Sequence, residues 1–183
     1  MPTPNEQSAT PIQRILAAAQ FAAEKHAQQR RKGAAQEPYI NHLIEVARLI
    51  ADNTPQLDPE LIMAAFLHDT VEDTGTTQEE LAHKFGPDVA SLVAEVTDDK
   101  TLPKERRKAL QVANAPKKSP RGQTLKLADK ISNLRSIMVS PPADWNRERR
   151  RQYFDWAKQV VDGLQSPNPK LKAEFDRLYE SFV

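Results

Sequence analysis

The sequence predicts an all-α protein on three observations. Apolar residues recur at three- and four-residue spacings along nearly the whole chain. No stretch of more than four residues alternates apolar and polar with turn signals at both ends, so no strand is expected. Capping residues and prolines stand where helices should begin, as in Asp58-Pro59 and Ser119-Pro120. With 183 residues, no internal repeat and no long linker, the chain reads as one domain over 11–183. Residues 1–10 are polar and Pro-containing and read as a disordered N-terminal tail.

The elements follow in order. Pro11 opens a helix over 11–30, with Ile12, Ile15, Leu16, Ala19 and Ala23 at helical spacing. A polar loop over 32–38 precedes a second helix over 41–53 with the stripe Leu43, Val46, Ala47 and Ile50. Asp58 caps a helix running to about Thr70, and its run Leu61-Ile62-Met63-Ala64-Ala65-Phe66-Leu67 is apolar on all sides, as in a buried helix. Thr76 or Thr77 opens a short helix that ends near Phe85-Gly86. Pro87 starts the next, which Asp98-Asp99 breaks. The charged segment from Pro103 to Asn114 reads as an exposed helix. Ser119 caps a long one through Met138, with the stripe Leu127, Ile131, Leu134 and Met138. Beyond the Ser140-Pro141-Pro142 break, two further helices are expected over 146–165 and about 168–181.

Composition excludes several classes of function. There is no cysteine, so disulfides and thiolate metal sites are ruled out, which fits a reducing cytoplasm. No apolar run reaches the roughly 18 residues of a membrane span, and the N-terminus lacks the apolar centre of a signal peptide. A net charge of +1 gives no global attraction to nucleic acid or membranes.

The chemistry concentrates in Leu67-His68-Asp69-Thr70-Val71-Glu72-Asp73-Thr74, where one His and three carboxylates directly follow the buried helix. Burying ionised carboxylates is costly unless a partner compensates them. A divalent cation is the simplest partner for imidazole and carboxylate together. His42, His68, Asp69 and Asp129 are the ligand candidates. Adjacent helical residues diverge by about 100°, so His68 and Asp69 chelate one ion only from a helix end or flank. A set of two nitrogens and two carboxylate oxygens suits an octahedral ion, Mn²⁺ first, with Fe, Co, Mg and Zn as alternatives. Taken alone, His42 reads as a cap or surface group, and Asp129 as the ion-pair partner of Lys126 or Lys130. His26 and His83 read as surface residues.

If the helix continues past Asp69, Glu72 and Asp73 stand one turn above His68 and Asp69. They exceed what one ion needs and suit proton transfer and orientation of water. The alternative is that Asp73-Thr74-Gly75 is simply a turn. Basic residues cluster at Arg30-Arg31-Lys32, at Lys100 with Lys104-Arg106-Arg107-Lys108, and at Arg147-Arg149-Arg150-Arg151. The second and third read as solvated helix faces. The first, in the loop before His42, suits a substrate with several phosphates.

Several of these segments form an ordered series. It comprises Gln28-Gln29-Arg30-Arg31-Lys32, Pro38-Tyr39-Ile40-Asn41-His42, His68 to Thr74, Glu95 to Lys100, Lys126-Leu127-Ala128-Asp129-Lys130, and Asn133-Leu134-Arg135. The series resembles the hydrolase domain of the RelA/SpoT homologue family, within the HD-domain metal phosphohydrolases. With Tyr153-Phe154-Asp155-Trp156-Ala157 it is most similar to the stand-alone small alarmone hydrolases. The resemblance implies a compact HD-type helical bundle that binds Mn²⁺ and hydrolyses ppGpp and pppGpp to GDP or GTP and pyrophosphate. The chain is too short for the synthetase domain of the long family members. The resemblance further implies His42, His68, Asp69 and Asp129 as ligands, Glu72 and Asp73 as the acid–base pair, and Arg31, Lys32, Lys100, Asn133 and Tyr153 as substrate contacts. The expected partner is therefore a small nucleotide, in the cytoplasm, with no stable nucleic acid and no membrane.

Three positions depart from the family pattern: Leu43 where Pro is usual, Ser132 where Tyr is common, and Gly122-Gln123-Thr124, which lacks the usual Ala-Lys character. None removes a candidate ligand. Two rival readings keep the same residues: an HD-type phosphohydrolase of another nucleotide, such as an NADPH 2′-phosphatase, and a non-catalytic alarmone-binding protein.

Overall fold

The computed structural model describes residues 9–182. Its helices are α1 (Pro11–Lys25), α2 (Ile40–Asn53), α3 (Pro59–Leu67), α4 (Thr70–Asp73), α5 (Gln78–Phe85), α6 (Pro87–Val96), α7 (Lys104–Asn114), α8 (Pro120–Val139), α9 (Arg147–Asp162) and α10 (Pro169–Phe182), with a 3₁₀ turn at Ala115–Lys117. No strand forms among the described residues; an isolated bridge joins Arg30 to Pro38. Most of the segment expected to be a tail, residues 1–8, lies outside the described residues. Thr10 is a helix cap, its hydroxyl accepting from the Gln13 amide while the Gln13 side chain accepts from Thr10.

The bundle is built around two buried helices. In α3, Leu61, Ile62, Met63, Ala64, Ala65 and Leu67 are all buried, because α1, α2, α6 and α8 surround it. Asp58 caps α3 by accepting from the Leu61 amide. In α8, Ser119 accepts from the Gly122 amide, and the helix then runs between α2, α6, α9 and α10. It carries Leu125, Leu127, Ala128, Ile131 and Leu134 into the core, and with them Lys126, Asp129, Lys130 and Ser132. Lys126, Asp129 and Lys130 mark the side of α8 that faces the cleft, while Ser132 turns toward α2.

Two expected stripes shift in register. In α1, Ala18 and Ala22 are buried and Ile15 and Phe21 pack beside them, whereas Ile12 and Leu16 face solvent. α1 ends at Lys25, five residues earlier than expected, because the chain turns at 26–28 to start the loop. In α8, Ile137 takes the inward place expected of Met138, which is exposed.

Phe154 of α9 is fully buried and stacks on Phe182 of α10, ring centroids 4.1 Å apart. Phe154→Ala is expected to cost about 3–5 kcal/mol through lost burial and the cavity left behind. The check is the midpoint of urea unfolding at fixed metal concentration. No helix among the described residues is long and apolar enough to cross a membrane.

Candidate functional site

The site forms where α3 stops. The helix stops after Leu67, and Asp69 sits at φ −102°, ψ −3°, in the bridge region between helix and extended conformations. The helix resumes as the single turn α4. The break is stabilised locally, since the Thr70 hydroxyl donates to the Leu67 carbonyl at 2.6 Å and the Asp73 amide to the Asp69 carbonyl at 2.9 Å. This is the helix end that a His-Asp chelate needs.

His42 from α2, His68 and Asp69 from the break, and Asp129 from α8 converge there. His42 Nε2 lies 3.7 Å from Asp69 Oδ2 and 3.4 Å from Asp129 Oδ1. His68 Nε2 lies 3.1 Å and 3.8 Å from the same two oxygens. Atoms bound about 2.1 Å from a common ion lie about 3.0–3.4 Å apart, close to this spacing. The donor set fits a cation on a second count. His68 Nδ1 bonds the Ala65 carbonyl at 2.8 Å, and a carbonyl only accepts, so Nδ1 carries the proton. Nε2 then offers a lone pair, and it is buried without a hydrogen-bond partner. Among the described residues, His42, His68 and Asp69 bring their donor atoms within 4.8 Å of one another.

The electrostatics carry the same message. Burial lowers the pKa of His68, but the charges of Asp69 and Asp129 overcome it and raise it to about 10. Burial would raise both carboxylates. Instead His68 holds Asp69 below its ordinary value, and Lys130, His42 and His68 do the same for Asp129. His42, desolvated, is lowered and stays neutral. Two carboxylates here demand a positive charge, which a proton on His68 or a divalent ion can supply. Affinity for a divalent cation is therefore expected to rise with pH from about 7 toward 10, as His68 gives up its proton. Titrating chelator-treated protein with Mn²⁺ at several pH values checks this.

Glu72 and Asp73 stand on α4 beside this cluster and differ in their partners. Glu72 Oε2 accepts from the Asp98 amide at 3.1 Å, and Oε1 faces Arg107 at 3.6 Å and Lys100 at 3.8 Å. Burial raises the Glu72 pKa, with the Asp98 amide acting against it. Asp73 uses both oxygens, one accepting from Lys100 at 2.5 Å and the other from Gln29 at 2.9 Å.

A cleft of about 410 Å³ opens over these groups. Arg31, Lys32, Lys100, Asn133 and Tyr153, the five expected substrate contacts, all line it. Asn133 donates to Asp129 at 2.6 Å and faces Arg31 at 3.4 Å. The loop carrying Arg31 and Lys32 is pinned at Gly33, where a Cβ would fall 2.2 Å from the Ser140 carbonyl oxygen. Only glycine admits that approach.

Sequence reasoning missed several cleft residues. Tyr39 donates to Asp69 at 2.6 Å and stacks on His26. His26 is buried, not a surface residue: its ring lies under Tyr39, with Nδ1 2.5 Å from Gln29 Oε1. Trp145 and Trp156 flank Tyr153, with ring centroids 5.6 and 5.2 Å away. The second and third basic clusters are not wholly solvated faces, because Lys104, Arg107, Lys108 and Arg149 turn into the cleft. Burial, then the charges of Arg149 and Lys32, lowers the Lys104 pKa. Cations that crowd one another in this way call for an anion. The ion-pair alternative for Asp129 also holds, since Lys130 lies 3.4 Å from it.

Comparison with known proteins bears on this geometry. The family model described as HD domain matches residues 18–156. The chain is 51% identical to human guanosine-3′,5′-bis(diphosphate) 3′-pyrophosphohydrolase MESH1, over 91% of this chain and 93% of that protein. It is 47% identical to the Drosophila melanogaster MESH1, covering 92% and 94%. A solved structure of a metazoan ortholog of SpoT, described as hydrolysing ppGpp, superposes with a TM-score of 0.90 at 46% identity, covering 95% of this chain and 98% of the other. A second, from Listeria monocytogenes, aligns at 0.66 with 28% identity, covering 80% and 98%. Matched by the HD domain model over residues 18–156 and about half identical to MESH1 proteins over nine-tenths of its length, the chain belongs to the HD-domain family, in the branch that holds the MESH1 proteins.

Proposed function

We propose that this protein is a metal-dependent 3′-pyrophosphohydrolase of ppGpp and pppGpp, releasing pyrophosphate and leaving GDP or GTP. The observation that carries this is the meeting, in one cleft, of a buried His-Asp cage, a Glu-Asp pair and a ring of cations. Relatives about half identical in sequence bear the name of that activity. We take residues 11–183 as one hydrolase domain and place it in the cytoplasm, where guanine nucleotides are used.

His42, His68, Asp69 and Asp129 would hold the ion, and Mn²⁺ suits this harder nitrogen and oxygen set. When bound, such an ion acidifies a water and polarises a phosphoryl oxygen. The attacking water breaks the bond between the ribose 3′-oxygen and its phosphorus, and one proton must leave that water. Glu72 is the acceptor, through Oε1, because Oε2 is tied to the Asp98 amide. The proton it takes is available to the departing 3′-oxygen, so charge balances. Asp73, with both oxygens occupied, holds Lys100 over the cleft. Arg31, Lys32 and Lys100 meet the phosphates, while Asn133 and Tyr153 line the pocket for ribose and base.

Lys104, missed from sequence, joins Lys32 and Arg149 as a phosphate anchor. Lys104→Ala is expected to raise KM for ppGpp about tenfold or more, with kcat little changed, as for lost charge-assisted hydrogen bonds made equally in ground and transition states. The founding test measures pyrophosphate release from ppGpp with Mn²⁺ and phosphate release from NADPH in parallel. Fast, metal-dependent release from ppGpp supports the reading. Phosphate from NADPH alone keeps the cage and overturns the substrate.

A further inference from the structure

Behind His42, on the side away from the cleft, lies a polar chain that no catalytic role accounts for. His42 Nδ1 is 2.8 Å from Ser132 Oγ, and both residues are buried. Ser132 Oγ donates to Glu45 Oε2 at 2.6 Å. Arg135 donates to the other Glu45 oxygen at 2.7 Å and also pairs with Glu174 of α10. A hydroxyl has one proton. Paired with Arg135, Glu45 is a carboxylate and only accepts, so the Ser132 proton goes to it. Ser132 Oγ must then accept from His42, which places the imidazole proton on Nδ1. The Nε2 lone pair is left facing Asp69 and Asp129.

We infer that Ser132 and Glu45 are positioning residues that set the tautomer and ring orientation of His42 for a metal ion; this rests on the hydrolase reading above. His68 obtains the same tautomer from a backbone carbonyl, which no side-chain substitution removes. His42, at the start of α2, has no such carbonyl bond and depends on α8 instead. Ser132 thus faces away from the cleft and toward the ligand. Partners of this kind around a ligating histidine are worth about 10–100-fold in metal affinity.

The test uses the chelator-treated 183-residue chain, titrated with Mn²⁺ and read by the electron paramagnetic resonance of the free ion. Ser132→Ala is expected to weaken Mn²⁺ about 10–100-fold, with the thermal midpoint of the chelated protein little changed. Glu45→Gln, whose amide can donate to Ser132 and reverse the chain, is expected to weaken Mn²⁺ as well. Ser132→Thr keeps the hydroxyl and is expected to rescue. In ¹⁵N spectra of the imidazoles, wild type should show His42 protonated at Nδ1, and Ser132→Ala a mixture of tautomers. Wild-type Mn²⁺ affinity in both Ser132→Ala and Glu45→Gln would overturn the positioning role. Failure of wild type itself to bind Mn²⁺ would instead overturn the hydrolase reading. If Ser132→Ala does not fold, Glu45→Gln, at a half-exposed position, decides the matter.

Discussion

Asp69→Asn is expected to abolish measurable pyrophosphate release, a loss of about a thousandfold or more, without unfolding the protein. Asp69 Oδ2 sits 3.1 Å from His68 Nε2 and 3.7 Å from His42 Nε2, at the centre of the cluster. The amide has the same size and its oxygen can still accept from Tyr39. It lacks the negative charge that the ion requires. A catalytic ion supplies several kcal/mol of barrier lowering, and each 1.36 kcal/mol is about tenfold in rate. The pattern to look for is joint loss of Mn²⁺ binding and turnover, with a native circular dichroism spectrum. Retained Mn²⁺ binding with lost turnover would remove Asp69 from the ligand set. Retained turnover would remove the cage from the chemistry.

Glu72→Gln should lower kcat by about 10²–10⁴, the range for a lost general base, while Mn²⁺ binding stays near wild type. The distinction from Asp69→Asn is the point of the experiment. Glu72 lies next to the cage yet has its own partners, Asp98 and Arg107. A pH profile adds an independent readout. Burial raises the Glu72 pKa from its ordinary value of 4.5. A base must be deprotonated to act, so activity falls as pH drops through that raised value. The acid limb should therefore lie above pH 4.5 in wild type and disappear in Glu72→Gln, measured at saturating Mn²⁺. Unchanged kcat in Glu72→Gln would pass the proton-acceptor role to another group.

The Asp69 and Glu72 experiments rest on residues visible in the sequence. His68 to Asp73 stands out because an apolar run and a burst of carboxylates meet there, and a helix cannot bury both cheaply. The caps at Asp58, Thr77 and Ser119 were equally legible, since capping is a local hydrogen bond between near neighbours. The rotation of α1 was not. Ile12 and Leu16 are as apolar as Ile15, and only the position of α3 against α1 decides which of them is covered. His26 misled for a related reason. Its sequence neighbours are polar and charged, yet a ring brought from Tyr39, thirteen positions away, covers it.

The basic clusters show the same division. Lys104 and Arg149 look like solvated residues of charged helices, and α7 indeed buries none of its side chains. They become part of the site because α7 and α9 pack together along one side of the cleft. Glu45 and Ser132 are 87 positions apart and neither carries a motif. Their link to His42 exists only because α2 and α8 lie side by side.

From the sequence alone, therefore, came the all-α class, the helix starts and the residue types of the proposed cage and acid–base pair. These depend on periodicity and on hydrogen bonds between near neighbours, which a linear reading captures. The tertiary structure alone decided the meeting of His42 and Asp129, brought by α2 and α8, with His68 and Asp69. It also decided the cations that ring the cleft and the chain of bonds from His42 through Ser132 to Glu45. Each of these is a contact between groups distant along the chain, and its strength depends on how helices pack and on what that packing removes from water.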